Sequence, residues 1–134
     1  MQTAAQPAAR KAGAMEWTGR ILSGLIAAWM LVGAAMDLTR NPVAVNGLRQ
    51  AGYPDNALLL IGVAVLISAI LYAVPRTAIL GAVLLTGYMG GAVNTHVHAG
   101  NQVPQMCVAF FVGMLVWLGI WLREPRLRAL LPLR

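Results

Sequence analysis

Residues 77–122 read TAILGAVLLTGYMGGAVNTHVHAGNQVPQMCVAFFVGMLVWLGIWL and contain no Asp, Glu, Lys or Arg. An α-helix rises about 1.5 Å per residue, so about 20 apolar residues cross a hydrocarbon core of about 30 Å. The stretch is therefore long enough for two crossings. Gly100, Asn101 and Gln102 predict a turn between them, and Pro104 suits the start of the second helix. We expect transmembrane helices at about residues 77–97 and 104–122.

Two further uncharged stretches lie upstream, one between Arg20 and Asp37 and the other between Asp55 and Arg76. They predict crossings at about residues 17–38 and 56–74, and Pro75 ends the second because proline stops helices. Strands of a membrane barrel would alternate apolar and polar residues, which these stretches do not. The predicted fold class is therefore all-α, a membrane four-helix bundle that occupies residues 16–122.

The composition excludes an ordinary soluble domain. Charged residues make up 10% of the chain, whereas soluble domains carry about 25%. The formal net charge is +6, but the basic residues stand at the ends of the apolar stretches. This placement suits lipid headgroups better than nucleic acid, so the lipid bilayer is an expected partner and nucleic acid is not. Cys107 is the one cysteine, so no intrachain disulfide can form.

Basic residues also predict the orientation, because cytosolic loops carry an excess of Lys and Arg. With four crossings, one side holds both termini, and its basic residues are Arg10, Lys11, Arg20, Arg76, Arg123, Arg126, Arg128 and Arg134. The other side holds Arg40 and Arg49. We expect both termini in the cytosol and the protein in a bacterial inner (cytoplasmic) membrane. Residues 1–15 then form a disordered cytosolic tail, and residues 123–134 form a basic cytosolic tail suited to a membrane surface.

A cleaved signal peptide is an alternative interpretation of the first crossing. Arg10 and Lys11 precede an apolar run that leads to Gly33-Ala34-Ala35, a loose match to such a peptide. The polar lead and the apolar run are both long for this, so a membrane crossing is the preferred interpretation.

One face of the third crossing is the most informative. Gly87, Gly91, Asn94 and His98 follow the spacing i, i+4, i+7 and i+11, which places them on one side of a helix. The two glycines form a small-xxx-small pair, which is typical of helix packing in membranes. The same face could instead form a groove for a flat ligand such as a quinone head, with Asn94 or His98 bonding a carbonyl oxygen.

His96 and His98 resemble a metal pair, but residues two apart on a helix point to nearly opposite sides. Ligation of a metal or haem by these two histidines is therefore not favoured. In a helix, His96 instead shares a face with Met89 and Ala92. Asp37 shares a face with Met30, Gly33 and Ala34. A charged side chain near the outer end of the first crossing suggests that Asp37 has a functional role. The alternative is that Asp37 only forms an ion pair with Arg40 at the membrane interface.

These polar groups lie toward the outer side under the predicted orientation. We therefore predict a ligand site between the first, third and fourth crossings. Its candidate residues are Asp37, Gly87, Gly91, Asn94, His96 and His98.

The chain resembles the DoxX-like family of small bacterial membrane proteins. The matching segments are Thr18-Gly19-Arg20, Gly52-Tyr53-Pro54, Pro75-Arg76-Thr77-Ala78, residues 86–98 (TGYMGGAVNTHVH) and residues 122–128 (LREPRLR). The resemblance implies a four-helix membrane bundle. For the name-giving members it implies a subunit of a membrane oxidoreductase in quinone-linked oxidation, and for most members no established activity. Members often carry Lys where this chain has Asp37, so the resemblance does not extend to a cation there.

Three functions follow from these patterns. The first is an accessory or quinone-facing subunit of a membrane oxidoreductase, with quinone as the cofactor and other membrane or oxidoreductase subunits as partners. The second is a structural or assembly protein whose glycine face meets a partner helix, including that of a second copy in a homo-oligomer. The third is a small carrier for a lipophilic molecule or a proton, with Asp37 and the histidines as relay groups. None of the three identifies catalytic residues in this chain.

Overall fold

The computed structural model describes residues 12–100 and 103–131, and in these ranges the chain is helical, with turns between the helices and no strand. Four long helices and two short ones follow one another. They are α1 (Ala14–Leu38), α2 (Pro42–Gln50), α3 (Ala57–Ala73), α4 (Ala78–His98), α5 (Val103–Arg123) and α6 (Pro125–Leu130). The all-α prediction is confirmed.

Three of the helices, α1, α4 and α5, are long and apolar enough to cross a membrane. Helix α3 is also apolar but is shorter, with 17 residues. The helix bounds agree with the predicted crossings to within a few residues, and α1 begins earliest relative to its prediction. Of the predicted N-terminal tail, residues 1–11 lie outside the described residues.

The four long helices pack side by side. Helix α1 contacts α3 and α5, and α4 contacts the same two helices. Gly19 near the start of α1 lies against the end of α5, and Gly81 near the start of α4 lies against the end of α3. Neighbouring helices are therefore antiparallel. We call the end that holds the start of α1, the α3–α4 turn and the end of α5 the terminal end, and the opposite end the loop end.

Tyr72 of α3 lies at the centre of the terminal end, with a fully buried side chain. Its hydroxyl donates to the carbonyl oxygen of Val116 at 2.9 Å and lies 3.2 Å from Ser23 Oγ. Such partners matter because leaving a buried hydroxyl unsatisfied costs about 1–3 kcal/mol. A Cβ on Gly81 would overlap the backbone of Tyr72, and a Cβ on Gly119 would come within 2.9 Å of the hydroxyl. These two glycines therefore make the room that Tyr72 occupies.

The two short helices have capping residues that the sequence analysis did not use. Asn41 caps α2 by accepting a hydrogen bond from the Val43 amide at 3.0 Å, with Pro42 at the first helical position. Glu124 caps α6 in the same way. Leu127 of α6 is buried against the long helices, so this part of the basic tail folds back on the protein. The sequence analysis did not predict α2, because it placed no helix at residues 42–50.

An ion pair ties the end of α2 to the start of α3 at the loop end. Arg49 Nε donates to Asp55 Oδ1 at 2.8 Å, and Arg49 Nη2 donates to Asp55 Oδ2 at 2.6 Å. The hydrogen bonds from Arg49 hold the pKa of Asp55 below its ordinary value of 3.8, and the positive charges of Arg49 and Arg40 lower it further. Both paired side chains are exposed to solvent.

The substitution Gly81→Ala tests the close approach at Tyr72. The added methyl group would overlap the α3 backbone, which cannot move aside like a flexible side chain, so we expect a loss of about 1–3 kcal/mol in the free energy of unfolding. Gly87→Ala is the matched control, because nothing described lies within 4 Å of its Cβ position. The measurement is denaturation by SDS in mixed micelles, followed by circular dichroism. Equal stability of the two variants would contradict the close contact.

The substitution Arg49→Gln tests the ion pair, and it should raise the pKa of Asp55 toward 3.8. Arg40→Gln should raise it less, because Arg40 makes the smallest contribution. Since the folded state lowers this pKa, the pair contributes stability above the unfolded pKa, and that stability is lost as the pH falls through the folded pKa. Asp37 and Asp55 are the only aspartates, so NMR titration of labelled aspartate can resolve both. An Asp55 midpoint that Arg49→Gln leaves unchanged would refute this assignment.

Candidate functional site

Helix α4 presents two different faces in its loop-end half, and the predicted site residues are divided between them. Gly87, Gly91, Asn94 and His98 are exposed on the outer face. His96 is only partly exposed and faces the other helices. The structure therefore keeps the four-residue face that the spacing predicted but separates it from His96.

The outer face of α4 is unpartnered in the part of the chain that the structure describes. Apart from the helix's own backbone, nothing lies within 4 Å of a Cβ built on Gly87 or Gly91. The Nδ1 atom of His98 lies 3.3 Å from the Asn94 carbonyl oxygen of the same helix. Within the described residues no other helix packs on this face, because α3 and α5 contact α4 on its other sides, and packing against a partner helix stays a prediction.

The inner face of α4 contributes to a cavity of about 240 Å³ in the loop-end half. All four long helices line this cavity, which we call the loop-end cavity. Its wall includes Met30 and Gly33 of α1, Val65 of α3, Tyr88 and His96 of α4, and Gln105 of α5. The cavity is open to the outside, because Trp29, Gln105 and Val108 in its lining are exposed.

Three of the lining side chains can form hydrogen bonds. Tyr88 carries a hydroxyl, Gln105 carries an amide with donors and an acceptor, and His96 carries two ring nitrogens. Tyr88 and His96 lie eight residues apart on α4, which is roughly 12 Å along the helix axis. The remaining lining is mostly apolar, with Met30 and Met89 among its members. An apolar cavity with a few polar groups is the usual form of a small-molecule site.

Asp37 is partly buried and follows Gly33 of the loop-end cavity by one turn of α1, but it is not among the lining residues. Its Cβ would be 3.0 Å from a Cβ built on Gly62, so α1 and α3 approach closely at this point. The carboxylate is within electrostatic range of Tyr88. The alternative of an Asp37–Arg40 ion pair does not hold within the described residues, because the Arg40 side chain reaches the carbonyl oxygen of Asp55 at 3.4 Å.

The two histidines do not come together. His96 lines the loop-end cavity, whereas His98 is exposed on the outer face. In residues 12–100 and 103–131, no group of three or more His, Cys, Asp or Glu side chains could hold a metal ion. Of the six predicted site residues, His96 lines the loop-end cavity and Asp37 lies near it on α1.

A larger apolar groove runs along the outside of α4 and α5, with a volume of about 810 Å³. Phe110, Met114 and Trp117 are among its lining residues. The Trp117 indole nitrogen donates to Thr86 Oγ1 at 2.8 Å, which satisfies the polar end of the ring in this apolar setting. The groove suits lipid chains and offers few polar groups to orient a reacting molecule.

Sequence reasoning missed Tyr88 and Gln105 as site residues. The sequence analysis placed His96 on a face with Met89 and Ala92, and Tyr88 belongs to the same face at the spacing i, i+4 and i+8 with Ala92 and His96. Gln105 gave no such signal, because its position relative to α4 depends on how α5 packs. The ligand-binding role of the six predicted residues stays a prediction.

A family model described as the DoxX-like family matches residues 21–119. These residues contain most of α1 and all of α2, α3 and α4, and they end within α5. No curated protein and no solved structure matches the chain.

Proposed function

The chain belongs to the DoxX-like family, and we propose that it is a quinone-facing subunit of a membrane oxidoreductase. In this proposal its loop-end cavity binds the head of a quinone. The electrons come from the partner subunit, and this chain supplies the binding site within the membrane.

The proposed arrangement in the membrane is a four-helix bundle with four crossings. Helix α3 spans roughly 26 Å with its 17 residues, which is at the short end of the range for a transmembrane helix. Its antiparallel packing between α1 and α4 supports a full crossing. A local thinning of the bilayer or the turn residues before α3 would make up the difference.

The proposed orientation places the terminal end in the cytosol and the loop end on the outer side of a bacterial inner membrane. The described arginines at the terminal end are Arg20, Arg76, Arg123, Arg126 and Arg128, and those at the loop end are Arg40 and Arg49. Arg49 is also paired with Asp55. The excess of positive charge at the terminal end supports this orientation.

The loop-end cavity is the observation that carries the proposed function. A quinone head is flat and apolar with two carbonyl oxygens that accept hydrogen bonds. The Tyr88 hydroxyl and the Gln105 amide can donate to such oxygens, and Met30 and Met89 offer apolar surface to the ring. Two-electron reduction of a quinone takes up two protons. His96 in the wall and Asp37 near it are groups that can exchange protons.

A second candidate function is structural, and the outer face of α4 favours it. Gly87 and Gly91 are exposed with open space above them. In a membrane such a surface lets a partner helix approach closely, and Asn94 could bond across the contact. The partner would be another subunit or a second copy of this chain. This function and quinone binding use different faces of α4, so they can be tested separately.

Quinone binding can be measured by fluorescence, because Trp29 lines the loop-end cavity and quinones quench tryptophan. A short-chain ubiquinone titrated into the purified chain in nanodiscs should quench part of the emission in a saturable way. Trp29→Phe should remove that part. Tyr88→Phe removes one hydrogen-bonding group, and His96→Gln replaces the imidazole ring with an amide of different shape and reach, so each should weaken binding roughly three- to tenfold.

His98→Gln is the matched control, because His98 is exposed on the opposite face. It should bind quinone like the unaltered chain. Ala92→Leu should block binding by filling the cavity. Equal quinone affinity in His96→Gln, His98→Gln and Ala92→Leu would overturn the proposed site.

The structural function makes a different prediction. Gly91→Leu should release the partner subunit, or dissociate a homo-oligomer, because the added side chain would hold the facing helix away. The measurement is the mass of the native complex extracted from membranes. His96→Gln should leave that mass unchanged. A complex that survives Gly91→Leu intact would exclude this face as the contact.

A further inference from the structure

A second polar cavity lies at the terminal end, away from the loop-end cavity. It has a volume of about 600 Å³ and lies between the start of α1, the α3–α4 turn and the end of α5. We call it the arginine cavity, because Arg20, Arg76 and Arg123 all line it. Glu124 is the one acidic residue in its lining, so positive charge is in excess.

Arg123 is held in place by Tyr72. Its Nη2 donates to the carbonyl oxygen of Tyr72 at 2.8 Å, and its guanidinium carbon lies 5.2 Å from the centre of the Tyr72 ring. The carbonyl belongs to the last turn of α3, where carbonyl groups lack partners within the helix. A guanidinium has five N–H donors, and the hydrogen bond to the Tyr72 carbonyl uses one of those on Arg123.

Of the two acidic residues near the arginine cavity, Glu16 pairs with an arginine outside it, whereas Glu124 lines it. Glu16 lies one turn before Arg20 on α1, but its carboxylate lies 3.6 Å from Arg128. Glu124 accepts a hydrogen bond from the Arg126 amide at the start of α6. Within residues 12–100 and 103–131, no ion pair involves Arg20, Arg76 or Arg123. Three arginines and one glutamate therefore line the cavity, which leaves positive charge in excess.

The wall between these arginines is partly apolar. Ile79 of α4 and Ile120 of α5 belong to it, and Gly24 of α1 leaves open space at its side. Arg20 and Arg76 are exposed, so the cavity is accessible from outside. A ligand with a charged head and an apolar part would match both kinds of surface.

We propose that the arginine cavity binds a phosphate group, carried by an anionic membrane lipid or free in water. Guanidinium groups bind phosphate oxygens in pairs, which makes arginine the preferred residue for this recognition. Basic cavities between transmembrane helices on the cytoplasmic side are suited to anionic headgroups. The fixed Arg123 provides a preorganised donor group, and Arg20 and Arg76 close on the phosphate from the other sides. This site is independent of the quinone site at the loop end.

The test uses the full chain purified in a neutral detergent and measures its thermal unfolding. Phosphatidylglycerol should raise the midpoint of unfolding in a saturable way, and phosphatidylcholine should not. The double variant Arg20→Gln/Arg76→Gln should bind phosphatidylglycerol roughly tenfold or more weakly, since each interfacial arginine contributes substantially to binding an anionic lipid. Arg123 is left unchanged because its contact with Tyr72 supports the fold.

Arg126→Gln is the matched control, because Arg126 is exposed at the same end but does not line the cavity. It should keep the affinity of the unaltered chain. A saturable midpoint shift with inorganic phosphate, lost in the double variant, would identify free phosphate as the source and still support the site. Equal affinity of the double variant and Arg126→Gln for phosphatidylglycerol, with no response to inorganic phosphate, would overturn the proposal.

Discussion

A tyrosine can be buried between helices only where the facing helices leave room for its ring and a partner for its hydroxyl. Gly81 and Gly119 leave that room around Tyr72, and the Val116 carbonyl accepts the hydroxyl hydrogen bond. In a membrane, association of helices depends on close packing and on hydrogen bonds between them, since lipid is as apolar as the side chains. Tyr72 supplies both and joins α3 to α4, α5 and α1. Its backbone carbonyl also fixes Arg123.

This constraint makes the two ends of the protein different. The terminal end is tightly packed around Tyr72, because Gly81 and Gly119 let the backbones approach, and the arginine cavity lies beside this packed core. The loop end keeps a cavity between the same four helices, lined by Tyr88, His96 and Gln105. The proposed quinone site and the proposed phosphate site therefore lie at opposite ends and have different chemistry, one neutral and hydrogen-bonding, the other cationic.

The candidate site was only partly predictable, and α4 shows why. Its spacing correctly placed Gly87, Gly91, Asn94 and His98 on one face. Helical periodicity does not say which face meets the neighbouring helices when both faces carry small residues. Both faces of α4 do, so the sequence could not distinguish the lipid-facing glycines from the cavity wall that holds Ala92 and His96. The same limit applies to Asp37, whose apparent partner Arg40 turns instead to Asp55.

The sequence by itself determined the helical class, the four apolar stretches and the concentration of arginines at one end. Each of these depends on local properties: the length of an uncharged run, a proline or glycine at its boundary, and the position of charges along the chain. Only the tertiary structure decided that Tyr72 is buried at the centre, that Tyr88 and His96 share a cavity with Gln105, and that Arg20, Arg76 and Arg123 converge. These groupings join residues from different helices, so they depend on the rotation of each helix about its axis. Close packing at the glycines fixes that rotation, and no single helix records it in its own sequence.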